Sequence, residues 1–150
     1  MPAIFIDANP PIYASGKPHP LKIPSAGIIQ LVSENAEAFV TSVEVMQEFL
    51  HYCRVRRVWR ESRFAYYALR QILEGRIEPV HVSDIDRAAE TAQEYPRLGA
   101  RDLIHLAVMR RLGVTRIVSA DRGFDGVPGV ERLDPARLEE WQSSVIEAPA

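Results

Sequence analysis

At 150 residues and 16.9 kDa, with 47% hydrophobic and 25% charged residues, the chain has the size and composition of one soluble globular domain, which excludes a disordered chain or a collagen-like repeat. Its longest apolar run, Phe64 to Leu69, is six residues against about twenty for a membrane helix, and no basic stretch leading into a long apolar one marks the N-terminus, so a cytoplasmic protein without membrane contact is expected. Cys53 stands alone, which excludes an internal disulfide and a cysteine-based zinc site, and a net charge of -2 with a pI near 6.1 counts, in bulk, against a nucleic-acid binder.

In chain order, Ala3-Ile4-Phe5-Ile6 is a short apolar run of buried-strand type ending at Asp7, and Pro10-Pro11 can start a helical turn but cannot continue a strand. A helix is expected from about Pro24 to Asn35. Ala38-Phe39-Val40 is a second strand, after which Thr41 or Ser42 caps a long amphipathic helix through Val45, Met46, Phe49, Leu50 and Cys53. Another helix covers about Ser62 to Glu74 and stops at Gly75. Pro79-Val80-His81-Val82 reads as the third strand, and Ser83-Asp84-Ile85-Asp86 has the spacing of a capping box. The helix that follows breaks before Pro96. A helix from about Ala100 to Leu112 ends at Gly113, and Thr115 to Ser119 forms the fourth strand. Val130 to Leu133 makes a fifth, and Asp134-Pro135 caps a last helix through Trp141. Strands alternating with helices predict a three-layer α/β/α sandwich around a mostly parallel, roughly five-stranded sheet, one domain over residues 1–150.

In such sheets ligands bind beyond the carboxyl ends of the strands. Asp7 closes the first strand, Asp121 lies just past the fourth, Glu44 and Glu48 lie in the first turns of the helix after the second, and Asp102 opens the helix feeding the fourth. Each has a plain structural reading: Asp7 as a turn cap, Asp102 as an acidic residue suited to a helix start, and Asp121 and Asp125 as turn residues before the fifth strand. Glu44, three residues after Thr41, has capping-box spacing and reads as structural. Glu48 is one turn further in, among Met46, Phe49 and Leu50, where no end effect explains it. Carboxylates converging without cations repel one another unless protons or a divalent ion compensate, and oxygen ligands select Mg²⁺ or Mn²⁺ over zinc.

Four ordered segments, Ile4-Phe5-Ile6-Asp7-Ala8-Asn9 with Ile12-Tyr13-Ala14, Thr41-Ser42 leading to Glu48, Arg101-Asp102-Leu103-Ile104-His105-Leu106-Ala107, and Val118-Ser119-Ala120-Asp121-Arg122-Gly123-Phe124-Asp125, resemble the motifs of the PIN-domain nucleases, and more narrowly those of VapC-type toxins. The resemblance implies a Rossmann-like sheet, a Mg²⁺ or Mn²⁺ site, hydrolysis of RNA phosphodiesters, a homodimer and a neutralising antitoxin partner. Carried over by position, Asp7, Glu48, Asp102 and Asp121 match the acidic quartet, with Asp7, Asp102 and Asp121 as metal ligands, and Asn9 and Ser119 match its polar supports. Asp125 matches an additional acidic position and is a further ligand candidate. His105, one turn after Asp102, reads as a packing or hydrogen-bonding residue. Pro10-Pro11 departs from the family's two aliphatic residues.

RNA also needs a basic surface. Arg54, Arg56, Arg57, Arg60 and Arg63 fall within ten residues, and Arg54, Arg57 and Arg60 are the candidate phosphate contacts; a solvated helix face is the plain alternative. Tyr52, Trp59, Phe64, Tyr66 and Tyr67 lie along the same helix pair, where a groove for an antitoxin segment is expected. Two other functions compete: a catalytically silent PIN-like module that binds RNA or protein, and a metal-dependent phosphatase or phosphotransfer domain of another α/β family built on Asp7. The common aspartyl-phosphate scheme for the latter needs a second Asp two residues on, where Asn9 stands.

Overall fold

A computed structural model describes residues 3–146. Its five strands, β1 (Ile4–Ile6), β2 (Phe39–Ser42), β3 (Ile77–Glu78), β4 (Arg116–Val118) and β5 (Glu131–Leu133), form one sheet in the order β3-β2-β1-β4-β5. Every pairing is parallel, with Phe5 opposite Val40 on one side and Ile117 on the other. Among the described residues the α-helices are α1 (Asn9–Ser15), α2 (Lys22–Glu34), α3 (Val43–Val55), α4 (Trp59–Ile72), α5 (Val82–Thr91), α6 (Ala100–Leu112) and α7 (Leu138–Ile146). Among the described residues no helix is long and apolar enough to cross a membrane.

The strands are short apolar runs because both faces are covered. Phe5, Val40 and Ile117 pack on one side with Leu103, Leu106 and Met109 of α6, whereas Ile4, Ile6 and Phe39 pack on the other with Ile28 of α2, Leu69 of α4 and Trp141 of α7. The expected three layers follow from this alternation. Pro10 and Pro11 occupy the first turn of α1, where their missing N–H groups cost no helical bond, so the departure at these positions is absorbed without disturbing β1. Helix α6 is buried around much of its circumference, with Leu103, His105, Leu106, Ala107, Val108 and Met109 all inside. That burial carries the chemistry of its N-terminal turns into the protein.

Several boundaries differ from the sequence expectation. The third strand is Ile77–Glu78, ahead of Pro79 to Val82, and Val82 already opens α5. Its cap is His81, whose backbone N–H donates to the Asp84 carboxylate, so the box begins two residues before the expected Ser83. The same carboxylate, 2% exposed, accepts from the Arg111 guanidinium at 3.0 Å, tying α5 to α6. Helix α3 is capped by Ser42, whose hydroxyl accepts from Val45 N–H, while the Thr41 hydroxyl donates to the Ile6 carbonyl across the sheet. Glu44 therefore has no capping box and lies 3.6 Å from Arg101. The last helix begins later than expected, because Asp134 caps a short 3-10 turn, Pro135–Arg137, ahead of α7. Gly113 ends α6 at φ 70°, so Gly113→Ala is expected to lower stability by about 1 kcal/mol in urea unfolding.

Candidate active site

The order β3-β2-β1-β4-β5 reverses direction between β1 and β4, and the crevice beyond their carboxyl ends is the place such a fold offers a ligand. Asp7 sits there, 2% exposed, its own N–H donating to the Val118 carbonyl. Its Oδ1 accepts from Ala8 N–H at 2.7 Å, and its Oδ2 accepts from the Ser119 hydroxyl at 2.6 Å and the Asn9 amide at 3.2 Å. Asn9 also accepts from Ala120 N–H at 3.0 Å, and Ser119 Oγ accepts from Asp121 N–H at the same distance. These bonds fix the Asp7 carboxylate against the turn that presents Asp121, whose Oδ1 takes the Gly123 N–H. Asn9 and Ser119 thus hold Asp7 directly.

Two helices complete the cluster. From α3, Glu48 places Oε2 3.2 Å from His105 Nε2, and the same nitrogen lies 3.6 Å from Asp7 Oδ1. From α6, Asp102 contributes a carboxylate oxygen that, with one atom each from Asp7 and His105, falls in a set no wider than 4.8 Å. Asp121 stands close enough to Asp102 to raise its pKa. The quartet expected from the sequence is brought to one place.

Its electrostatics are unfavourable as they stand. Burial, the neighbouring Asp121 and the charge of Asp7 push Asp102 up to about 8. Burial raises Asp7 as well, although His105 and Ser119 act the other way. Burial pulls the His105 imidazole down, yet the Glu48 bond and the charges of Asp7, Glu48 and Asp102 outweigh it and leave it raised. Among the described residues no lysine or arginine pairs with Asp7, Glu48, Asp102 or Asp121. Crowded carboxylates anchored by donors and short of positive charge fit a hard divalent cation.

Other expected residues fall elsewhere. Asp125 does not join the quartet: its carboxylate is gripped by the Arg132 guanidinium at 2.8 and 3.1 Å, which holds it below the usual carboxylate range. Arg54, Arg57 and Arg60 gather with Cys53 and Trp59 around an open hollow of about 460 Å³. The hollow that contains Glu48, about 280 Å³, is lined instead by Arg56 and Arg101 together with Ile12, His51 and Tyr52. A signal for both arginines is present in the sequence: Glu48, Tyr52 and Arg56 repeat at four-residue spacing on one helix face, and Arg101 adjoins Asp102. The α3–α4 pair exposes Phe64 and Tyr67, 69% and 58% accessible, whereas Trp59 and Tyr66 pack edge to face.

Comparison with known proteins bears on the family and the fold. The profile described as PIN domain matches residues 4–130. A VapC ribonuclease of Mycobacterium bovis is 36% identical over 132 residues, covering 87% of this chain and 98% of the relative. Ribonuclease VapC23 of Mycobacterium tuberculosis is 40% identical over 120 residues, 79% of this chain and 92% of the relative. Among solved structures, the Sarcin-Ricin loop cleaving toxin VapC20 of Mycobacterium tuberculosis superposes with a TM-score of 0.65 at 19% identity, covering 85% of this chain and 98% of that one. FitAcB from Neisseria gonorrhoeae gives 0.63 at 16% identity, covering 90% of this chain and 99% of the other. The two structures share the fold.

Proposed function

The chain belongs to the PIN-domain family, and from that premise we propose that it is an endoribonuclease, the toxin of a toxin–antitoxin pair, working with a Mg²⁺ or Mn²⁺ ion held by Asp7, Asp102 and Asp121. The observation that carries this reading is the compressed acidic cluster, with Asp102 pushed up to about 8 and, among the described residues, no lysine or arginine paired with it.

When bound, the ion supplies charge neutralisation at the phosphodiester and a more acidic attacking water. The protein does the rest. Asp7 is immobilised by Ala8, Asn9 and Ser119, so its carboxylate is oriented before any ligand arrives. Glu48, on the open side of the cluster, can orient the attacking water and accept its proton, with His105 behind it. Arg56 and Arg101 border the same hollow and suit the phosphates flanking the cleaved bond. Hydrolysis by this route needs no covalent intermediate on the protein.

An antitoxin partner follows from the same reading. A groove of about 340 Å³ between α1, α3 and α4, lined by Ile12, Tyr52, Cys53 and Val58 with the charged Lys17, Arg56 and Glu61 beside them, shares Ile12, Tyr52 and Arg56 with the Glu48 hollow. An apolar antitoxin segment lying there would end at the active site. The exposed Phe64 and Tyr67 suit a homodimer contact, and a cytoplasmic location suits an RNA substrate.

The test is cleavage of a mixed RNA pool by the purified chain with Mg²⁺, with Mn²⁺ and with EDTA. Metal-dependent products are expected, and EDTA should return cleavage to background. Absence of cleavage with either ion, while RNA is still retained in a binding assay, would favour the silent binding module.

A further inference from the structure

The atoms of Asp7, Asp102 and His105 lie close enough for the imidazole to be a third metal ligand. We propose that it is not, and that His105 is a positioning residue whose Nε2–H holds the Glu48 carboxylate beside Asp7. This role rests on the nuclease reading for its consequence, though not for its geometry.

Where the ring keeps its proton separates the two roles. To ligate through Nε2, the imidazole must carry its proton on Nδ1, and ligating histidines almost always donate that second N–H to a carboxylate, a carbonyl or water. Here Nδ1 is buried with no hydrogen-bond partner among the described residues, on a side chain with 0% exposure. A proton there would be a buried, unsatisfied donor, which is costly. A proton on Nε2 meets Glu48 Oε2 at 3.2 Å and faces Asp7 Oδ1 at 3.6 Å, leaving only an acceptor lone pair unpaired at Nδ1. The hydrogen bonds therefore keep Nε2 in its N–H form. That form cannot ligate through the nitrogen that faces the carboxylates.

The consequence concerns Glu48. Its side chain is 27% exposed and reaches inward from α3, while Asp7 is fixed on β1, and the imidazole from α6 is the donor that spans them. The ring is itself held in the core, tilted against Phe5 with centroids 5.6 Å apart. A rigid donor behind a long carboxylate restricts its rotamers and aims its other oxygen outward. The metal set that remains is carboxylate oxygen alone, in keeping with a hard ion.

Long-range ¹H–¹⁵N spectra of the ¹⁵N-histidine-labelled chain, with His105 assigned by its loss in His105→Gln, test the proposal directly. Nε2 should carry the proton both without metal and with Mg²⁺. Loss of that proton with a shift of Nε2 on adding Mg²⁺ would make the ring a ligand and overturn it. In RNA cleavage, His105→Leu should lower kcat by about 10–100-fold, whereas His105→Gln, whose amide can still donate, should recover most of that loss. A Gln variant no better than Leu would also overturn it. If the wild type cleaves no RNA, the spectra still decide the role of His105, so failure of the nuclease reading is distinguishable from failure of this one.

Discussion

Asp102→Asn is expected to slow RNA cleavage severely while making the metal-free protein more stable above neutral pH. The loss of activity follows from the lost ligand charge: charge stabilisation of the transition state by a bound ion is worth several kcal/mol, so a fall of about 10²–10³-fold is expected. The gain in stability follows from crowding. In the folded chain, burial and the neighbouring Asp121 and Asp7 keep Asp102 protonated up to about 8, against 3.8 for an ordinary aspartate. Between those values the folded form binds more protons than the unfolded one, so stability falls as pH rises through the window. Asn has no proton to lose. Calorimetry in EDTA should show the wild-type melting temperature falling from about pH 5 to about pH 8 and recovering with Mg²⁺, because a ligand of the folded state stabilises it. The variant should have a shallower pH dependence, melt higher than wild type at the alkaline end and gain little from Mg²⁺. A variant that melts lower than wild type in EDTA at about pH 8 would show that the Asp102 carboxylate is stabilising, contrary to the electrostatic account.

The parts of this arrangement that are legible in the sequence are those set by local pattern. An apolar run ending in Asp7 marks a central strand and its carboxyl end, and Gly113 marks the stop of α6 because its left-handed backbone suits glycine. What is not legible depends on partners distant in the chain. Glu44 has capping-box spacing from Thr41, but the Thr41 hydroxyl is taken by the Ile6 carbonyl, 35 residues away. Asp125 looks like one more carboxylate beside Asp121 until β5 delivers Arg132 to it. His105 reads as a residue inside a buried helix, and it does hydrogen-bond there; that its partner is Glu48, 57 positions earlier, is a property of how α3 and α6 meet. The third strand is misplaced by local pattern because Pro79 to Val82 is apolar enough for a strand, while the pairing of Thr41 with Ile77 and Ser42 with Glu78 sets it earlier.

Placing the charges also changes what a net charge of -2 means. Acidic residues are concentrated in a cluster suited to a cation, and Arg56 and Arg101 line the hollow that contains Glu48. Local positive potential next to the site can draw a polyanion despite a near-neutral total. Arg56→Ala combined with Arg101→Ala is therefore expected to weaken RNA binding about tenfold at low salt. It should also reduce the salt slope by about 1.4, since each single-strand phosphate that the protein no longer neutralises removes about 0.7. The weakening should be nearly uniform across RNA sequences, since phosphate contacts position the strand without reading it. Arg54, Arg57 and Arg60 surround a separate hollow beside Trp59, so replacing all three by Ala should change the slope less than the pair does. Fluorescence anisotropy of a labelled RNA, titrated over a range of salt in the cleavage-deficient Asp102→Asn background, measures both slopes. A larger change from the triple substitution would move the RNA path away from Glu48 and onto the turn between α3 and α4, where Arg57 adopts φ 57°.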